Sequence, residues 1–177
     1  MIEADGRTTF AAPRGIGTAA RVVIGIGEMA IGNEANVLVT HALGSCVAVC
    51  VYDPVARVGG LLHFLLPESR INPARARTQP CAFADLGIPL LFQQAYTKGL
   101  KKASCIVKLV GGADVTGDGA GFGVGKRNAL AARSILWRNG VLVKGEAVGG
   151  SAARTVALSV DDGRVEITNG RDHVGSL

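Results

Sequence analysis

The fold is set by the segment VLVTHALGSCVAVCVYDPVARVGGLLHFLL, residues 37–66. It contains three short runs of apolar and β-branched residues, VLVT, CVAVCVY and LLHFLL, each bounded by turn residues. Runs of this length and composition are typical of buried strands. Asp53 and Pro54, between the last two runs, are preferred at the first two positions of a type I turn. The segment therefore predicts one strand followed by a β-hairpin.

The same kind of pattern predicts five more strands, at 22–26, 105–110, 141–147, 154–160 and 165–168. The pair Asp162-Gly163 is typical of a hairpin turn and lies between the last two of them. Helical spacing of apolar residues predicts two helices, over 84–96 and over 128–138, the second with Asn128 as its N-cap. Two helices cannot alternate with eight strands, so a layered sheet architecture is favoured over a doubly wound one.

The chain has 177 residues, of which 48% are hydrophobic and 19% charged, so we expect one well-packed domain rather than a disordered chain. Residues 1–20 lack periodicity and are predicted to be a flexible tail before a single domain over 21–177. The longest uncharged stretch, residues 35–52, is too polar to insert into a membrane. Without a signal or transit pattern, a cytoplasmic location is expected. Four cysteines are too few for a disulfide scaffold, so reduced thiols are expected.

The formal net charge is +5, and basic residues cluster in two places. The clusters are Lys98, Lys101, Lys102 and Lys108, and Lys126, Arg127, Arg133 and Arg138. A basic surface can attract an acidic partner, although a solvated face with excess lysine and arginine explains the same pattern. Nucleic acid is disfavoured as a partner, because the chain has only eight aromatic residues that could stack on bases.

Cofactor and metal motifs are weak. Gly25 to Ala30 matches a loose dinucleotide pattern, but Glu28 would face the phosphates. Gly125-Lys126 lacks the first glycine and the hydroxyl residue of a phosphate loop. Cys46 and Cys50 would lie roughly 13 Å apart along a strand, too far apart to share a zinc ion. We therefore predict no metal and no cofactor.

A nucleophilic cysteine fits the sequence better. If a two-residue loop joins the hairpin strands, Cys46 lies opposite His63 with their Cβ atoms about 5 Å apart, whereas a longer loop would shift that register. His63 could then act as a base for Cys46 and lower the pKa of its thiol. Thr40 offers a hydroxyl to hold the imidazole, and the backbone N–H groups near Gly44 and Ser45 could bind an oxyanion. Alternatively, Cys46 and His63 are packing residues.

The segments THALGSCVAVCVYD (40–53) and GGLLHFLLP (59–67) closely resemble the CheD family of chemoreceptor glutamine deamidases. The resemblance continues in KLVGGA (108–113), VGKRN (124–128) and Gly149-Gly150 with Arg154. It implies an α+β fold: a β-sandwich core with helices packed on the outside.

The same resemblance implies a function. Cys46 would be the nucleophile, His63 the general base and acid, and Thr40 the residue that orients His63. The protein would convert glutamines on the cytoplasmic helices of methyl-accepting chemotaxis receptors to glutamates, through a thioester intermediate at Cys46. A CheC-type phosphatase would be a regulatory partner. No cofactor and no membrane insertion are implied. A non-catalytic adaptor that binds receptors or the phosphatase, and a receptor methylesterase, are the alternatives.

A substrate or partner surface is predicted near the glycine-rich segment and its basic end. Its residues are Gly111, Gly112, Lys126, Arg127 and Asn128. An anchoring and helix-capping role for Arg127 and Asn128 is the alternative. Ala147, Ala153 and Val115 depart from the family pattern, so the choice of receptor does not follow from the resemblance.

Overall fold

The computed structural model describes residues 19–115 and 123–177, and it contains two five-stranded sheets. The first sheet has the strand order β1-β3-β8-β9-β10 and the second the order β2-β5-β4-β6-β7. The strands are β1 (Ala20–Ile24), β2 (Glu28–Asn33), β3 (Asn36–Leu43), β4 (Val47–Asp53), β5 (Val58–Phe64), β6 (Ile106–Gly111), β7 (Val143–Val148), β8 (Arg154–Ser159), β9 (Val165–Asn169) and β10 (Asp172–Ser176). The α-helices are α1 (Pro73–Thr78), α2 (Ala84–Thr97) and α3 (Val124–Arg138), and Ser69–Ile71 and Pro80–Ala82 form 3₁₀ turns.

The molecule has three layers, because the second sheet is covered on both faces. One face of β4, with Val47, Val49 and Val51, packs in the core that includes the apolar residues of α2 and α3. The other face, with Ala48 and Cys50, packs against the first sheet. Every residue of β4 and β5 is buried, which explains why their sequences are nearly continuous apolar runs. The predicted α+β sandwich with outer helices is confirmed.

All eight predicted strands and the helix over 84–96 are present, whereas β2, β10 and α1 were not predicted. The second predicted helix begins earlier than expected: α3 starts at Val124, and its N-cap is Gly123 with a positive φ of 51°. The prediction that Asn128 is the N-cap is therefore wrong. Asn128 lies one turn inside the helix and is fully buried. Its side-chain amide donates hydrogen bonds to backbone carbonyls outside the helix.

The two-residue loop that would place Cys46 opposite His63 does not form. Four residues, not two, connect β4 to β5, so Ala48 rather than Cys46 lies opposite His63. The buried carboxylate of Asp53 stabilises the longer turn, since its Oδ1 accepts hydrogen bonds from the N–H groups of Val55 and Ala56 at 2.8 and 3.2 Å. A side chain that caps a turn in this way favours a connection that backbone turn rules alone do not predict.

Most of the predicted tail over 1–20, namely residues 1–18, lies outside the described residues. Its last residue, Ala20, is already the first residue of β1. Among the described residues, no helix has both the length and the apolar character needed to cross a membrane.

Candidate functional site

Cys46 and His63 lie on the same face of the second sheet, the one that faces the first sheet. Cys46 comes directly before β4 and packs with Ala48 and Cys50 in the core between the sheets. Because β4 pairs with β5 so that Ala48 is opposite His63, Cys46 is a diagonal neighbour of His63. Diagonal neighbours in an antiparallel pair are roughly 7–8 Å apart, within reach of long side chains. The observed register therefore still brings the cysteine and the histidine to one place.

A hydrogen bond across the two sheets orients His63. Thr40 lies in β3 of the first sheet, and its Oγ1 is 2.7 Å from His63 Nδ1. The single hydroxyl proton of Thr40 is donated to the Ile24 carbonyl, also at 2.7 Å. Thr40 Oγ1 must therefore accept from His63, so Nδ1 carries the imidazole proton and Nε2 has a free lone pair. This is the tautomer that a general base needs at Nε2.

The imidazole of His63 is kept neutral by burial. The side chain is fully buried, and removal from water lowers the pKa of His63 to about 4. Within residues 19–115 and 123–177, Nε2 has no hydrogen-bond partner. A buried nitrogen that is unprotonated and unpartnered is costly in a purely structural histidine, and it is suited to accept a proton during a reaction.

The backbone around Cys46 is held by the loop that follows β6. The carbonyls of Gly44 and Cys46 accept hydrogen bonds from the N–H groups of Ala113 and Gly112, at 2.8 and 2.7 Å. Gly111 has a φ of 115°, and a Cβ at this position would lie 2.3 Å from the Cys46 carbonyl oxygen. Only glycine permits this close approach of the two chains.

Asn128 contributes a side-chain amide to the same segment. Its Nδ2 donates to the carbonyls of Ser45 and Leu65, at 2.9 and 2.8 Å. The amide thus joins the residue before Cys46 to the chain just beyond β5, two residues after His63. The sequence placed Asn128 in a partner surface or a helix cap, and nothing in the local pattern indicates that it contacts Ser45.

Cys46 is buried, with only 6% of the residue exposed. Burial raises the pKa of Cys46 above its ordinary value, and its own backbone N–H and the nearby charge of Arg75 act in the opposite direction. The prediction of a lowered pKa is therefore wrong for the resting protein, because desolvation outweighs the neighbouring groups. At neutral pH the site holds a neutral thiol and a neutral imidazole.

The other three cysteines have surroundings that suit packing. Burial raises the pKa of Cys50 to about 12 and that of Cys105 to about 11. The pKa of Cys81 is also raised by burial. In the described part of the chain, no three His, Cys, Asp or Glu side chains lie close enough together to hold a metal ion.

The residues of the predicted partner surface lie in different environments. Gly111 and Gly112 are buried beside the Cys46 backbone, and Asn128 is buried as well. Lys126 and Arg127 are exposed in the first turn of α3. Lys126 borders a cleft of about 660 Å³ that is also lined by Ser45 and Gly112. The exposed part of the predicted surface is thus the basic start of α3, next to the residue that precedes Cys46.

Comparison with known proteins points to one family. The family profile described as CheD, chemotactic sensory transduction, matches residues 65–169. A protein of Syntrophus aciditrophicus named probable chemoreceptor glutamine deamidase CheD 1 is 46% identical over 81% of this chain and 91% of its own length. A probable chemoreceptor glutamine deamidase CheD 2 of Anaeromyxobacter dehalogenans is 47% identical over 88% of this chain and 98% of its own. The chemoreceptor glutamine deamidase CheD of Thermotoga maritima is 36% identical over 81% and 88%.

Proposed function

Because this chain belongs to the CheD family, we propose that it is a chemoreceptor glutamine deamidase with Cys46 as nucleophile, His63 as general base and acid, and Thr40 as the residue that orients His63. The observation that carries the proposal is the state of His63. Its Nδ1–H is donated to Thr40, and its unprotonated Nε2 is on the same side of the sheet as Cys46. A histidine held in this way can take the proton of a thiol.

The reaction needs no group beyond the protein and water. As Sγ of Cys46 bonds to the side-chain amide carbon of the glutamine, Nε2 of His63 accepts the thiol proton. The resulting imidazolium donates this proton to the amide nitrogen, the carbon–nitrogen bond breaks, and ammonia leaves a thioester on Cys46. His63 then takes a proton from water, whose oxygen attacks the thioester carbon. The carbon–sulfur bond breaks, His63 returns the proton to the departing sulfur, and the receptor carries a glutamate in place of the glutamine.

The developing oxyanion needs hydrogen-bond donors near Cys46. The N–H of Gly44, which was predicted to bind the oxyanion, is donated to the Ala42 carbonyl at 2.9 Å. In the described part of the chain, the N–H of Ser45 is donated to no acceptor, and the N–H of Cys46 interacts only with its own thiol. Ser45 also lines the cleft beside Lys126. We assign the N–H groups of Ser45 and Cys46 to the oxyanion site, because preorganised backbone donors of this kind stabilise the tetrahedral intermediate of acyl transfer.

Mass spectrometry of a methyl-accepting receptor fragment incubated with the protein tests this function. A gain of about one dalton at specific glutamines is expected, since an NH₂ group is replaced by OH. Loss of a methyl group from methylated glutamates, without that gain, would instead indicate the methylesterase. No change in a receptor fragment that binds the protein would indicate the adaptor.

Thr40→Val tests the orienting role. Valine keeps the shape of the side chain but cannot accept the Nδ1–H of His63, so the imidazole spends less time in the productive tautomer and rotamer. We expect kcat to fall by about 10- to 100-fold with little change in KM. Steady-state kinetics on the receptor fragment measure this, with Thr155→Val as a control because Thr155 contacts the exposed His41. Unchanged kcat in Thr40→Val would remove Thr40 from the site.

The basic start of α3 is the proposed docking surface for receptor helices. Lys126 and Arg127 lie in the first turn, which has no acidic residue, although the helix dipole makes positive charge unfavourable there. Positive charge kept at an unfavourable position beside the cleft suits an acidic partner. The predicted CheC-type phosphatase partner and cytoplasmic location stay predictions.

Reversing these charges separates docking from stability. Lys126→Glu with Arg127→Glu is expected to lower kcat/KM on the receptor by about tenfold or more at low salt, with a smaller deficit as salt rises. The melting temperature should be retained, because acidic residues are favoured in a first helical turn. Lys101→Glu with Lys102→Glu is the matched control. The Lys101 N–H binds Asp53 at the end of β4, and the length of β4 separates this position from Cys46 by roughly 20 Å. Equal receptor turnover in both double variants would refute the docking surface.

A further inference from the structure

We propose that Asn128 is a positioning residue that aims the backbone N–H of Cys46 at the oxygen of the reacting amide. The proposal rests on the proposed deamidase function and adds a residue to it.

The orientation of the Asn128 amide is determined by its partners. Both neighbours of its terminal group, Ser45 O and Leu65 O, are backbone carbonyls, which can only accept hydrogen bonds. The atom that faces them must therefore be the nitrogen, and both of its protons are used. The other end, Oδ1, is buried and has no partner within the described residues. The amide thus acts here through its two donated hydrogen bonds.

The bond to Ser45 also sets the direction of the Cys46 N–H. The Ser45 carbonyl and the Cys46 N–H belong to the same peptide unit, which is planar and trans, so they point in opposite directions. Holding the carbonyl towards Asn128 turns the N–H of Cys46 away from α3. A carbonyl that accepts a hydrogen bond also polarises the N–H of its own peptide unit, which makes that N–H a stronger donor.

The bond to Leu65 joins the ends of two neighbouring strands. β4 begins at Val47 and β5 ends at Phe64, so Cys46 and Leu65 are the first residues beyond the paired strands. The amide of Asn128 bridges the two chains at this point and occupies the Leu65 carbonyl. Asn128 therefore ties the chain that follows His63 to the chain that precedes Cys46, and it fixes both next to the oxyanion site.

Asn128→Asp removes both donors at nearly constant shape and tests the proposal. We expect kcat on the receptor fragment to fall by about 10- to 100-fold, with KM changed by less than about threefold, because the lost interaction acts in the transition state. In the uncharged variant Asn128→Ala, the rate at which iodoacetamide alkylates Cys46 should stay within about threefold of wild type, since alkylation needs the thiol and His63 but no oxyanion site. Asn139→Asp is the matched control, because Asn139 is an exposed asparagine at the end of the same helix and its Nδ2 donates to the Ile135 carbonyl.

A receptor peptide with an aldehyde in place of the glutamine carboxamide is the second probe. Its hemithioacetal with Cys46 places an oxygen where the oxyanion forms, so Asn128→Asp should weaken its affinity by the same factor as kcat. If Asn128→Asp does not fold, Asn128→Ala is measured in the same way. In wild-type protein, NMR should show the Cys46 amide proton moving downfield when the aldehyde adds, and this measurement needs no variant.

The outcomes are separable. Wild-type protein that cannot deamidate the receptor would overturn the proposed function and this proposal with it. Active wild-type protein together with a folded Asn128 variant of unchanged kcat, or with an unmoved Cys46 amide resonance, would overturn the positioning role alone. A parallel loss of kcat and of Cys46 alkylation would also overturn it, because Asn128 would then organise the Cys46 and His63 pair and not the oxyanion donor.

Discussion

Cys46→Ala is expected to eliminate deamidation of receptor glutamines, with kcat/KM lowered by at least about 10⁴-fold. The loss is this large because no other thiol can replace Cys46: a reaction that runs through a covalent intermediate loses its whole pathway with its nucleophile. Mass spectrometry of the receptor fragment over a time course measures the effect. Cys46→Ala should still bind the fragment, since alanine removes only the sulfur.

Cys50→Ala provides the matched control. Cys50 is on the same face of the same sheet as Cys46, is 2% exposed and loses a similar volume on substitution. We expect it to lower stability slightly and to leave kcat/KM within a fewfold of wild type, since burial raises the pKa of its thiol to about 12. Residual activity in Cys46→Ala together with loss of activity in Cys50→Ala would identify Cys50, not Cys46, as the nucleophile.

His63→Gln is expected to lower kcat by about 10²- to 10⁴-fold, the usual contribution of a general acid and base. The thiol of Cys46 is neutral at neutral pH, so it must lose a proton to react. Without Nε2 of His63, the proposed acceptor of that proton is missing. His41→Gln is the control, because His41 is exposed and contacts Thr155. Full activity in His63→Gln with normal folding would exclude His63 as the base.

The low pKa of His63 also predicts how wild-type activity and stability depend on pH. The base is protonated only below about pH 4, so the acid limb of kcat/KM should lie well below the ordinary histidine value of about 6.5. In the unfolded chain His63 binds its proton near pH 6.5, whereas in the folded protein it stays neutral down to about 4. Between these values the unfolded state binds more protons, so the free energy of unfolding falls as the pH falls.

The size of this effect can be measured against the variant. The contribution of His63 is fully present above about pH 6.5, and its loss by pH 4 amounts to at most about 3 kcal/mol. Denaturant titrations at several pH values should therefore show a steeper loss of stability for wild type than for His63→Gln. Parallel curves for the two proteins would mean that the pKa of His63 in the folded state is near its ordinary value.

Local sequence patterns were sufficient for the strands that form the centre of the fold and for the residue types of the candidate site. The apolar runs of β4 and β5 are strands because both of their faces are covered, and the leucine-glycine-serine-cysteine segment with a following histidine is visible in the sequence itself. The sequence pattern did not predict β2 or β10. Their strands, Glu28–Asn33 and Asp172–Ser176, are half-exposed or exposed and lack an apolar run.

The relation between the site residues was decided by the tertiary structure. The buried Asp53 carboxylate, which also accepts the Lys101 N–H, sets a four-residue turn, so Cys46 is diagonal to His63 and not opposite it. Burial, which depends on the packing of two sheets and two helices, raises the pKa of Cys46 and lowers that of His63. Neither effect can be computed from neighbours along the chain, because desolvation depends on every atom that surrounds the group.

The sequence by itself determined which chemistry is present: one cysteine at a loop-to-strand junction, one histidine on the next strand, and a threonine at the end of the strand before. Only the tertiary structure decided how those groups work together. Thr40 and His63 come from different sheets, and the hydrogen bond between them, which fixes the imidazole tautomer, forms only when the sheets pack. Asn128 is 83 residues away from Ser45 in the chain, and contacts between such distant positions follow from packing, not from any local pattern.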